Sequence, residues 1–233
     1  MLLGITNGRM IRIAVFFDGD YFYEPSQYYK FGHKRQSRLD VSGIQEFIRH
    51  KVAECEKCDV AQCQIVEAHY FRGRFSTRAA ERAGKLKDER RFDEILMRAG
   101  IVQHYLPIDE TRERPTEKGI DVWLSLEAFD LAVHKRFDVV ALLACDGDYV
   151  PLVRKLNGIG TRVMLLAWNF QYEVSEGDKK RLRETRTSAE LIKLASYPLK
   201  MDDIIGLGFS DDPLVNGIFV SERSPSEKDD QSR

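Results

Sequence analysis

Residues 11–17 form a run rich in β-branched and aromatic side chains that stops at Asp18-Gly19. Such a run reads as a strand buried on both faces and ending in a turn. Four further runs, residues 64–71, 101–106, 139–145 and 162–167, share this character and have a strand's usual length. Between them the apolar positions change period. Ile44, Phe47, Ile48, Val52 and Cys55 recur at three- and four-residue steps, and Val122, Leu124, Leu126, Phe129 and Val133 do so more loosely, as on amphipathic helices. Strands alternating with helices require crossover connections. The pattern therefore predicts a three-layer α/β/α sandwich around a mainly parallel central sheet of about five strands, a Rossmann-like arrangement. In such sheets, ligands gather at the carboxyl ends of the strands.

With 233 residues, one core is expected, in a domain over residues 10–197. Residues 198–220 contain Met201, Ile204, Ile205, Leu207, Phe209, Leu214, Ile218 and Phe219, enough apolar surface to dock on that domain or to meet a protein partner or a second copy of the chain. Residues 221–233 are almost wholly polar, which predicts a disordered tail. Lys and Arg number 36 against 37 Asp and Glu, so bulk charge selects no partner and any electrostatic case is local. No apolar run approaches the roughly 20 residues that span a bilayer, and the first residues lack the features of a secretory signal, so a cytoplasmic protein without a membrane segment is expected. The four cysteines are expected as thiols. Cys55, Cys58 and Cys63 have the spacing of half a zinc site but lack a second close ligand pair, and Cys55 fits the helix's apolar stripe.

The chemistry-bearing residues fall at predicted strand and helix ends. Asp18 follows the first strand, Asp146 and Asp148 follow the fourth, and Asp121 opens a helix. If the fourth strand lies beside the first, these carboxylates meet at one sheet edge. Clustered carboxylates raise one another's pKa, a cost usually sustained where a cation binds, and hard oxygen donors favour Mg²⁺ or Mn²⁺. Gly19, Gly119 and Gly147 adjoin them. Any single Asp-Gly pair is an ordinary turn signal; three in one topology are harder to dismiss. Basic residues are concentrated locally. Residues 72–91 contain eight cations, among them Arg72, Arg74 and Arg78, against three acids, a net of +5. A second cluster, with Lys34 and Arg35, interleaves aromatics and cations over residues 28–38, and a third runs from Lys179 to Arg186. These are candidate RNA-binding surfaces or solvated helix faces.

The segments Asp18-Gly19-Asp20-Tyr21, Lys118-Gly119-Ile120-Asp121 and Cys145-Asp146-Gly147-Asp148-Tyr149 together resemble the NYN domain, a LabA-like branch of the PIN-like nucleases, over roughly residues 11–170. The chain departs from that pattern at Asp20, where the family usually has Asn, and at Ala144-Cys145, where it usually has Ser-Gly. The resemblance implies a Mg²⁺- or Mn²⁺-dependent ribonuclease. Asp18, Asp121, Asp146 and Asp148 would be its metal-binding and catalytic residues, and Lys118 would sit near the phosphate. Two rivals stand beside this reading. One is a catalytically silent RNA-binding or regulatory module; the other is a haloacid-dehalogenase-like phosphatase, whose nucleophile and acid Asp18 and Asp20 would mimic.

Overall fold

The computed structural model describes residues 9–110, 117–176 and 179–221; most of the polar tail lies outside them. Its strands are β1 (Ile11–Asp18), β2 (Cys63–Arg74), β3 (Val102–Pro107), β4 (Val139–Leu143), β5 (Arg162–Ala167), β6 (Phe170–Glu176), β7 (Lys179–Thr185) and β8 (Tyr197–Lys200). The main sheet has the order β3-β2-β1-β4-β5-β8, with every adjacent pair parallel. β6 and β7 form a separate antiparallel pair.

The helices are α1 (Gly19–Gln27), α2 (Val41–Glu56), α3 (Thr77–Arg82), α4 (Leu86–Arg98), α5 (Ile120–Lys135), α6 (Val150–Gly158), α7 (Ala189–Leu194), α8 (Met201–Ile205) and α9 (Pro213–Gly217). They cover both faces of the sheet, and β1 shows why its sequence is apolar at nearly every position. Ile13, Val15 and Phe17 enter one core with Ile44, Phe47 and Ile48 of α2. Ala14 and Phe16 enter the other with Leu124 and Ala128 of α5 and Leu156 of α6. All five residues of β4 are likewise buried. Full burial of a Val, Leu or Phe side chain is worth roughly 1.5–3 kcal/mol, so two-sided strands of this kind anchor the fold.

The sheet has six strands where about five are expected from sequence. The addition, β8, is four residues long and contains Pro198, which an edge strand tolerates because one side of its backbone needs no partner. It draws the segment after residue 197 onto the domain. Beyond it, Met201, Ile205, Val215, Ile218 and Phe219 are buried in the α2-side core, and the Asp40 N–H donates to the carbonyl of Ile218. Leu207 and Phe209 of this segment stay open to solvent. Among the described residues no helix is long and apolar enough to cross a membrane.

Candidate active site

Chain order reverses between β1 and β4. β2 and β3 build outward from one side of β1, and β4, pairing Ile13–Phe17 with Val139–Leu143, builds from the other. A crevice opens at the carboxyl ends of strands at such a reversal. Asp18 is the last residue of β1, and Asp146 and Asp148 lie in the turn that follows β4.

Asp18 is held from several directions. One carboxylate oxygen accepts the N–H groups of Asp20 and Tyr21, 3.1 Å each, and so caps α1. The other accepts the Tyr149 hydroxyl at 2.8 Å. Burial raises the carboxyl's pKa above the usual range, and the charge of Asp20 raises it further, against the lowering effect of these hydrogen bonds. Gly19 is required here. A Cβ at that position would lie 2.6 Å from the Phe71 carbonyl oxygen and 2.7 Å from the Tyr70 ring. Only glycine lets the start of α1 lie so close to the end of β2.

Asp146 accepts the Asp148 N–H at 3.1 Å, closing the short helical turn from Gly147 to Tyr149. Both aspartates are exposed. Cys145, just before them, has its thiol pushed up to about 12, chiefly by burial and then by the charges of Asp18 and Asp146. It therefore stays protonated and is no soft thiolate ligand at neutral pH. Asp121 lies in the first turn of α5, entered through Gly119 in the left-handed region at φ +82. Burial and the charges of Asp18 and Asp121 push the Tyr149 hydroxyl's pKa far up, so these two acids share one neighbourhood around that phenol. Gly147, by contrast, has room for a Cβ, with Ser188 at an ordinary 3.6 Å, so crowding does not account for that glycine.

A fifth acid, Glu117, belongs to this edge and is missing from the sequence-based set. Its carboxylate accepts the Gly73 N–H of β2 at 2.7 Å. Burial and then the charges of Asp20 and Asp18 push its pKa up to about 7. Its position just before Lys118-Gly119 was the available signal, but the contact that fixes it spans 44 residues of sequence.

The donors at this edge are carboxylates, which suits a hard divalent cation. As the side chains stand, no group of three His, Cys, Asp or Glu among the described residues is close enough to hold a metal ion. Asp18 and Asp146 are each engaged in capping their own turn, and like charges spread apart in solvent.

The cations predicted to meet a substrate take different places. Arg72 lies near the end of β2 with its Nε 3.3 Å from Asp20. Arg74 is tied to Asp93 at 2.5 Å and lies over the Tyr105 ring. Arg78 is exposed on α3, and Lys34 and Lys118 are exposed. Arg35 is buried between Phe209 and Phe219 and donates to Asn216 and to the Gly208 carbonyl, so it holds the C-terminal segment in place.

Residues 12–201 match the NYN domain profile, which covers most of the chain; the chain belongs to the NYN domain family. The architecture described above is consistent with the PIN-like superfamily and is a nuclease-type fold. No curated protein matches. Among solved structures, a protein of unknown function from Vibrio parahaemolyticus is similar with a TM-score of 0.53 and 17% identity, covering 93% of this chain and 100% of that one. At that identity the likeness concerns the fold.

Proposed function

We propose that this chain is a Mg²⁺- or Mn²⁺-dependent ribonuclease that hydrolyses RNA phosphodiester bonds with an activated water, in the cytoplasm. One observation carries the reading: Asp18, Asp121 and Asp146 come from three separate elements to one edge at the β1/β4 reversal, and the carboxyls of Asp18 and Glu117 are held above their ordinary range there. An edge where negative charge is unfavourable is one that a divalent cation stabilises.

Asp18, Asp121 and Asp146 would hold the cation, with Asp148 as a further ligand or a base toward water. When bound, the cation supplies charge neutralisation at the phosphate and a lowered pKa for its water. The remaining work falls to the chain itself. Tyr149 fixes the Asp18 carboxylate through its hydroxyl, and the short helical turn sets the direction of Asp146. Exposed Lys118 and Arg78 are free to meet the RNA backbone, and Arg72 stands next to the acids.

The test is cleavage of labelled single-stranded RNA with Mn²⁺, Mg²⁺ or EDTA, by the wild type and Asp146→Asn, with p-nitrophenyl phosphate alongside. Metal-dependent cleavage that falls at least about 100-fold in the variant supports the proposal. Phosphatase turnover alone would favour the dehalogenase-like rival. A second reading, an RNA-binding module without catalysis, is favoured by the engagement of Asp18 and Asp146 in capping their own turns; RNA binding without cleavage under any metal would establish it.

A further inference from the structure

We infer that Arg72 is the cation of a phosphate subsite beside the acidic edge and that Asp20 is its built-in competitor, an anion of the protein held where an RNA phosphate would bind. The inference rests on the ribonuclease reading and names the part of the surface that sets substrate affinity. Asp18 pairs in register with Phe71, so Arg72, still within β2, is one residue beyond the point where β1 ends. Its guanidinium lies over the exposed ring of Tyr23 on α1, 4.9 Å from the centroid. Asp20, one helical turn back, puts a carboxylate oxygen 3.3 Å from the Arg72 Nε.

The two partners differ in how firmly they are held. The Asp20 side chain is 61% exposed and that of Arg72 is 32% exposed, so the arginine is built into the wall while the aspartate reaches over it from solvent. A pair with one partner open to solvent in this way is readily exchanged, because water and salt compete for the aspartate's charge. A phosphodiester presents guanidinium with the same anionic oxygens as a carboxylate, and the planar fork accepts either. Arg74, two residues on, has no such freedom, being committed to Asp93, Glu89 and the Tyr105 ring. Asp20 therefore has two effects on an incoming RNA. It occupies Arg72, and it adds negative charge at the approach to Asp18. Removing its charge leaves the guanidinium with Tyr70 and the Tyr23 ring, neither of them an anion, and weakens the repulsion.

The experiment measures binding of a fluorescent single-stranded RNA by anisotropy in EDTA over a range of KCl, for wild type, Asp20→Asn, Arg72→Gln and the double variant. Asp20→Asn is expected to tighten binding about three- to tenfold at low salt and to steepen the salt dependence by up to about one phosphate contact. In the Arg72→Gln background most of that gain disappears. Unchanged or weaker binding by Asp20→Asn overturns the inference, and so does a gain that persists in full without Arg72. Loss of Mn²⁺ affinity in Asp20→Asn, with RNA affinity in EDTA unchanged, would overturn it in favour of Asp20 as a metal ligand. Asp20→Ser and thermal melts serve as controls for folding. Where binding in EDTA is too weak to read, the KM of Mn²⁺-supported cleavage replaces it and is expected to fall in Asp20→Asn. Wild-type cleavage with no gain in the variant sinks this inference alone, whereas absence of both binding and cleavage sinks the ribonuclease reading as well.

Discussion

Two aspartates sit at opposite ends of the same pair of strands. Asp138 stands just before β4, at the amino edge of the sheet. It is buried, and its oxygens accept the Arg12 N–H at 2.9 Å and the Arg9 guanidinium at 2.7 Å. Asp18 ends β1 at the carboxyl edge, with two backbone N–H groups and a phenol as donors, no cation among its described hydrogen-bond partners, and other acids nearby. The first is a carboxylate whose charge is neutralised locally and whose work is to fasten the chain. The second is a carboxyl whose ionisation burial and the Asp20 charge oppose. A fold accepts such a cost where the charge has a use beyond stability.

Removing the charge of each residue in turn gives the widest separation. Asp18→Asn keeps the cap on α1, since Asn caps as well as Asp, and removes the opposed charge. RNA cleavage is expected to fall at least about 100-fold, while the protein without metal unfolds at the same urea concentration or a higher one. Asp138→Ala is expected to do the reverse. It removes the acceptor of the Arg12 N–H and loses an ion pair, costing about 1–3 kcal/mol in urea unfolding, with cleavage per folded molecule unchanged. If Asp18→Asn destabilises as much as Asp138→Ala, the contrast fails and Asp18 is a structural residue.

How much of this was legible in the sequence follows from the range of the contacts. The positions of Asp18, Asp121 and Asp146 at the end of a strand or the start of a helix were readable because apolar periodicity breaks there. The pairing of β1 with β4 entered only as a condition common to doubly wound sheets, and the register meets it. Glu117 carried only its place beside Lys118-Gly119 as a signal, since the contact that fixes it comes from Gly73 of another strand. β8 escaped because four residues with a proline give too little pattern. The β6–β7 pair did carry a signal, Phe170, Tyr172 and Val174 alternating with Gln171 and Glu173, but with hydrophilic neighbours it reads equally as a loop. Arg35 looked like part of a basic surface because the two phenylalanines that enclose it arrive more than 170 residues later.

The protonation of Glu117 sharpens the comparison through pH. Its folded pKa is raised from 4.5 to about 7. Between those values the folded state binds more protons than the unfolded one, so stability without metal is greatest below pH 4.5 as far as this group is concerned. It is lost as pH rises toward 7. Asp18, also raised, acts in the same direction from its own lower starting point. Unfolding by urea at pH 5 and pH 7.5 is expected to show this loss, and Glu117→Gln to reduce it by on the order of 1 kcal/mol. A wild-type profile that rises over this interval, and a variant that follows it in parallel, would mean that Glu117 does not hold a proton there.

The smallest effect is expected from Tyr149→Phe, which removes one hydroxyl and leaves the ring in its buried place. The cost in stability should be about 1.5 kcal/mol, the low end for one hydrogen bond to a charged partner, in a site that retains its other donors. The informative readout is the pH profile of kcat/KM. The Tyr149 hydroxyl lowers the Asp18 pKa against the stronger effect of burial, so its removal lets that pKa rise further. If ionised Asp18 is needed for cleavage, the acid limb of the profile moves to higher pH, and activity at pH 6 falls more than at pH 8. A purely structural role for the hydroxyl would lower activity equally at both. A uniform loss would therefore place Tyr149 with Asp138 among the residues that hold the sheet, and a shifted limb would place it with Asp18 at the carboxyl edge.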